Sequence, residues 1–168
     1  MPTELKGASA LRKALKQFSP DLDKETRDEM VGFLKPLVKK ARGFMPANSA
    51  LPSGWVGTSE PGRFPKYDAS IARRGVGYKL TPTKPNRQGW IQTVSIHNKT
   101  AGGVIYEWAG RKSSSKFVSN LPGTMTGSGK MQGRAMFKAY KEDEGKAKVG
   151  VIRALEKAAA KFNAKGNI

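Results

Sequence analysis

Apolar residues recur at helical spacing near the start of the chain. Leu5, Ala8, Leu11, Leu15 and Phe18 stand three or four apart, while Lys6, Arg12, Lys13 and Lys16 project elsewhere. The spacing predicts an amphipathic helix over 3–18, weakened in its first turn by Gly7. Ser19 and Pro20 mark a second start, a capping side chain followed by a residue whose missing N–H would be unpaired there anyway. Met30, Phe33, Leu34, Leu37, Val38, Ala41 and Met45 carry this apolar stripe to about residue 44. Acidic residues (Asp21, Asp23, Glu25, Asp28, Glu29) fill the first half of the helix, and Lys35, Lys39, Lys40 and Arg42 the second. That order counters the helix dipole at both ends. Pro36 removes the bond to the Gly32 carbonyl and is expected to kink the helix. Gly43 and Pro46 stop it.

Residues 46–66 hold four prolines and three glycines and read as a long loop, of the kind that is either functional or disordered. Trp55 and Phe64 lie within it. Such aromatics either tuck onto a core or anchor a partner, and the tucked reading stands slightly ahead. From Arg74 the period changes to two. Val76, Tyr78 and Leu80 predict one strand and Trp90–Asn98 a second, joined across 82–89 as an antiparallel hairpin with Arg87 at its extended tip and Lys84 nearby. The spacing of Ala101, Ile105 and Trp108 favours one or two helical turns. Residues 111–133 are rich in Ser and Gly and read as a second, mobile loop. Arg134–Tyr140 is either a short strand or a helix entry. Val149, Ile152, Leu155, Ala159 and Phe162 define a C-terminal helix. The whole is an α+β chain in a single domain: long N-terminal helices, a small antiparallel sheet built on a hairpin, a C-terminal helix and two long loops.

Composition narrows the chemistry. With 168 residues the chain is long enough for one real core. There is no cysteine and one histidine, His97, so disulfides, thiolate metal sites, a cysteine nucleophile and a serine–histidine triad fall away. No stretch approaches the roughly 18 apolar residues of a membrane span. The first 18 residues interleave lysine with leucine and show no signal-peptide core, so the expected compartment is a cytoplasm and no membrane partner is expected. Lys and Arg number 31 against 13 Asp and Glu, a net charge of +18. The excess is spread along the chain, and the resulting field favours polyanionic partners such as DNA or an acidic protein surface. It also serves solubility.

No segment reads as an active site, and neither a cofactor nor a metal is expected. Gly123 to Met131 has the look of a phosphate-binding loop. The glycine is displaced by one, Met131 stands where a hydroxyl would hold magnesium, and no apolar strand feeds it, so a flexible linker is the better reading. Glu107, between Tyr106 and Trp108, invites thoughts of a general acid in an apolar pocket. A carboxylate pairing with Arg or Lys at an edge or subunit contact is preferred. Arg73, Arg74, Lys79, Lys84 and Arg87 gather around the hairpin and suit phosphate or solvent equally.

The order of features, with Ser53-Gly54-Trp55 in the first loop, the basic hairpin, and then the segment Ile105-Tyr106-Glu107-Trp108-Ala109-Gly110, resembles the tail-completion or head-to-tail joining proteins of long-tailed bacteriophages. The short segment looks like that family's aliphatic–Tyr–Glu–aromatic–x–Gly stretch after its hairpin. The resemblance runs over roughly 19–163, and the long 46–66 loop and the extra N-terminal helix depart from it. It implies a structural virion protein and no enzyme. Such a protein is a homo-oligomeric ring, commonly a hexamer, at the head-proximal end of the tail, assembled in the bacterial host's cytoplasm. Its partners would be the tail tube or terminator and the head-connector proteins. Trp55, Arg73, Arg74, Lys84, Arg87, Tyr106, Glu107, Trp108 and Arg111 would form its contact surface. The basic hairpin would face acidic rings above and below, with at most transient contact with DNA, because a strongly attractive channel would retard DNA exit. The alternative is a basic nucleic-acid-binding protein.

Overall fold

The computed structural model describes residues 7–166 except 90, 113 and 130. Trp90, Lys130 and the first turn of the expected N-terminal helix therefore lie outside the described residues. The chain divides into two compact units, each assembled from separated segments. The first unit comprises 1–36, 79–95 and 145–168, and the second 37–78 and 96–144. The first holds 16 Lys and Arg against 7 acidic residues and the second 15 against 6, a net of nine positive charges each.

In the first unit, α1 (Ala8–Phe18) follows Gly7, whose φ of 81° needs a residue without a Cβ. Helix α2 (Pro20–Gly43) begins at the expected Ser19–Pro20 junction, where the Ser19 carbonyl accepts the first helical bond from the Asp23 N–H. It runs on with Pro36 inside it, and the division between the units falls at that proline. The C-terminal helix, α7, spans Lys146–Gly166. Leu15, Leu22 and Ala158 form a buried cluster, with Leu11 and Phe162 packed against it. The Phe33 ring lies so close to Gly150 that a Cβ there would overlap it. Around this apolar seam the acidic half of α2 meets the basic face of α7: Glu29 pairs with Lys157 at 3.1 Å, and Glu25 with Lys161. The hydrogen bond from Lys161 is the main cause that holds the Glu25 carboxyl below its usual range. Burial is the main force lowering the pKa of the Arg12 guanidinium, which donates to the Leu80 carbonyl and lies 4.0 Å from Asp23.

The second unit contains the remainder of α2 and a region the hydrophobic period left unassigned. Helix α3 (Ala69–Gly75) is capped by the Asp68 carboxylate, which accepts from the Ile71 N–H at 2.8 Å. Strands β1 (Val76–Lys79) and β2 (Ser95–Asn98) pair as a two-stranded antiparallel sheet, shorter than the alternation suggested. Helix α4 (Ala101–Trp108) confirms the helical spacing there and is capped by the Thr100 hydroxyl, which accepts from Gly103 N–H. Asn98 ties these elements together. Its amide donates to the Ala72 carbonyl, and its Oδ1 accepts from both the N–H and the hydroxyl of Thr100. Neither Gly75 nor Gly103 has room for a Cβ beside that pair.

The expected mobile loop at 111–133 is corrected. It contains a helical turn, α5 (Lys116–Ser119), and a hairpin of β3 (Thr126–Ser128) with β4 (Met131–Gly133) in antiparallel register. Gly127, at φ 104°, packs flat against Gln132 in this pair. The stretch that mimics a phosphate-binding loop is thus a hairpin whose strands pack against α6 (Met136–Glu142), and not a linker. Among the described residues, no helix is long and apolar enough to cross a membrane.

Replacing the fully buried Leu15 by Ala is expected to cost about 2–5 kcal/mol, through lost transfer energy and the cavity left behind. Phe18→Ala, at a side chain 68% exposed, should change stability by less than about 0.5 kcal/mol. Urea denaturation of the two variants checks both.

Candidate functional site

The segment Ile105–Arg111 is where the candidate residues concentrate, and all of it lies in the second unit. The cap position of helix α6 is held by Ala135, a residue with no side-chain acceptor for the free amides of a first turn. Glu107, reaching over from α4, supplies the acceptors. Its Oε2 takes the N–H groups of Ala135 at 2.7 Å and Met136 at 3.0 Å, and its Oε1 takes that of Phe137 at 3.1 Å. The carboxylate is fully buried. A negative charge against the positive end of a helix is the favourable sense of the dipole.

The exchange is reciprocal. Arg134, the residue before this cap, sends Nη1 back to the carbonyls of Tyr106, at 3.2 Å, and Ala109 at the C-terminal end of α4. Burial is the main force pushing the Arg134 guanidinium pKa down from its ordinary value. Gly133 must be glycine, since a Cβ there would come within 2.5 Å of the Glu107 carboxyl carbon and 2.9 Å of the Phe137 ring.

Around this exchange an aromatic chain fills the core. Trp55 and Tyr67 lie 5.2 Å apart between ring centroids, Tyr67 and Tyr106 6.2 Å, and Phe117 meets Trp55 edge-on at 5.0 Å. Each polar tip is satisfied: Trp55 Nε1 donates to Pro65 O, Tyr67 hydroxyl to Pro46 O and Tyr106 hydroxyl to Pro122 O. The long 46–66 loop is thereby fastened to its own chain at both ends, with Val56 and Tyr67 bridged through their backbones. Burial raises the pKa of both tyrosines above the ordinary phenol value.

The candidate contact residues therefore separate. Trp55 is tucked, at 3% exposure, which bears out the reading favoured for the loop and corrects its place on the expected contact surface. Tyr106 and Glu107 are enclosed as well, and their place on a partner surface is corrected: the first is an aromatic core residue, and the second satisfies three amides of its own chain rather than pairing with Arg or Lys at an edge. Arg73 sits on α3, not in the hairpin strand, and donates to the Met45 carbonyl; Arg74, beside it, is exposed. Lys84 and Arg87 are exposed beyond β1.

Trp108 and Arg111 remain at the surface of the α4 end. Trp108 is 50% exposed. The Arg111 guanidinium lies 4.8 Å over its ring and 5.3 Å from that of Phe137, and is held in place by the Gln132 carbonyl. Arg134, Gly133 and Phe137 were missed in the sequence. The signal that marks them is a helix start without a capping residue, together with one acid alone in an apolar helix. A cleft of about 370 Å³ opens elsewhere in this unit, lined by Lys66, Asp68, Ile71 and the Thr100–Gly103 turn. No group of acidic or histidine side chains suited to a metal ion occurs among the described residues. Compared with protein-family models, with curated proteins and with solved structures, the chain matched none.

Glu107→Ala and Gly133→Ala should each destabilise, the first by about 3–5 kcal/mol through three unpaired amides in a buried site. The double variant should cost less than the sum, because the second Cβ enters space the carboxylate has left. A double-mutant cycle by chemical denaturation measures this. Because folding raises the pKa of Tyr67 and Tyr106, the neutral phenols favour the folded state. That contribution is whole below the ordinary value of about 10 and is lost as pH rises through the folded values. Tyr67 and Tyr106 should ionise above the ordinary phenol range in an absorbance titration, and Tyr67→Phe should remove one of these late steps.

Proposed function

We propose that the chain is a structural protein of a long-tailed phage particle that forms a ring at the head-proximal end of the tail and joins it to the head connector. The segment that carries the likeness to tail-completion proteins has an inner and an outer part. Its Tyr and Glu hold the fold, and its aromatic residue, Trp108, is presented outward with Arg111 stacked on it. The observation that carries the reading is this ordered, half-exposed Trp–Arg pair. Met131, 56% exposed, and Tyr140, 41% exposed, lie on β4 and α6, with β4 packed against both α4 and α6. Trp, Tyr, Arg and Met are the residues enriched at the centres of protein interfaces. A guanidinium already fixed by a carbonyl and two rings loses little freedom when a partner covers it.

A ring needs a heterologous contact, in which one face of each subunit meets a different face of its neighbour. The Trp108–Arg111 surface supplies one such face. The same surface suits the tail tube or terminator and the connector as further partners, and the place of action is the tail–head junction of the virion.

Electron microscopy of the concentrated protein, and of the phage particle that contains it, tests the reading. Closed rings, commonly of six, are expected, together with the protein at the neck of the particle. Trp108→Ala should weaken assembly by roughly 30-fold, the effect of losing an interface anchor worth about 2 kcal/mol, while leaving the melting temperature of the subunit almost unchanged. A protein that stays monomeric at all concentrations and is absent from particles overturns it.

A further inference from the structure

The hairpin of β1 and β2 continues beyond its strands as an arm over 80–89 and 91–94, within the first unit. Its foot is fixed, since Leu80 is buried and its carbonyl accepts from the Arg12 guanidinium. Higher up, the two legs are joined where Thr83 N–H donates to Gln92 O and Gln92 N–H to Thr83 Oγ1, each at 3.0 Å. The tip is closed by Asn86, whose Oδ1 and carbonyl accept from the N–H groups of Gln88 and Gly89. Residues 83–89 are all exposed.

The charge on this arm differs from that along the seam of α2 and α7. Between Asp68 and Glu107 the chain has no acidic residue and six Lys or Arg. Lys157 and Lys161 on α7 are tied to carboxylates of α2, whereas the side chains of Lys84 and Arg87 on the arm, and of Lys79 at the end of β1, stand exposed and make no hydrogen bond or ion pair among the described residues.

We propose that this arm grips the phosphate backbone of duplex DNA. Lys84 and Arg87 at the tip are accompanied by Thr83, Asn86 and Gln88, side chains of the kind that bond phosphate oxygens. Pro85 is the one apolar residue between Thr83 and Gly89, so the turn itself presents polar and cationic side chains, with Ile91, 39% exposed, on the second leg. A two-stranded ribbon also fits the width of the major groove. The contact carries no sequence information and lets the duplex slide. The retarding effect of a basic channel belongs to a continuous lining, not to two cations on a narrow arm. The proposal stands on the arm's geometry and charge, apart from the ring reading.

The test is fluorescence anisotropy of the full chain with a short duplex of mixed sequence, from about 50 to 200 mM salt. The variant Lys84→Gln/Arg87→Gln is compared with Lys13→Gln/Lys16→Gln, an exposed pair on α1 that removes the same charge. The arm variant should lower the slope of log affinity against log salt by about two, near 0.9 for each lost phosphate contact. It should bind at least about tenfold more weakly than the α1 variant, with both melting as the parent does. Equal losses in the two variants would reduce the effect to overall charge and overturn the proposal. So would an arm-dependent affinity for polyglutamate that exceeds that for DNA, which would assign the arm to an acidic protein instead.

Discussion

The second unit is organised by two helices that satisfy each other's ends. Free amides at a helix start and free carbonyls at a helix end are costly when buried. Glu107 from α4 takes the amides that open α6, and Arg134 from the approach to α6 takes the carbonyls that close α4. Each charge also sits at the helix end whose dipole welcomes it. Because the two residues are embedded in opposite partners, α4 and α6 cannot separate without exposing both sets of groups. The need for glycine at 133, the seating of β4 and the position of Arg111 against Gln132 all follow from this exchange.

The exchange also explains how one short segment serves two ends. Along α4, successive side chains turn by about 100°, so Tyr106 and Glu107 face inward while Trp108 faces out. The inward pair joins the aromatic chain through Tyr67 and Trp55, which fastens the long 46–66 loop to its own chain. The outward residue, stacked with Arg111, keeps a fixed orientation at the surface. The orientation of this surface pair is set by the fold beneath it, in which Glu107 and Arg134 hold the end of α4.

The first unit handles charge differently. The acids of α2 and the lysines of α7 pair across an apolar seam, and exposed pairs of this sort contribute little to stability. Their consequence is electrostatic. Where acids and lysines pair, the local field is muted, whereas the hairpin arm has no acidic residue to offset Lys84 and Arg87. A net charge shared evenly between the units can in this way still present one strongly positive feature.

The sequence by itself determined the elements that depend on neighbours in the chain: α1, α2 and α7 from their apolar stripes, the Ser19–Pro20 start, the hairpin and the helical turn before Gly110. Those signals are local, because a helix or strand repeats its apolar face every few residues. It left α3, α5 and the β3–β4 hairpin unread, since elements of three to seven residues are too short to show a period and are held by caps and by contacts from elsewhere. It misplaced Glu107 for the same reason. The partners of that carboxylate lie 28 to 30 residues away, and only the tertiary structure brings them within hydrogen-bond reach. A buried charge is settled by whatever the fold places around it, and that information is absent from the residues on either side of it.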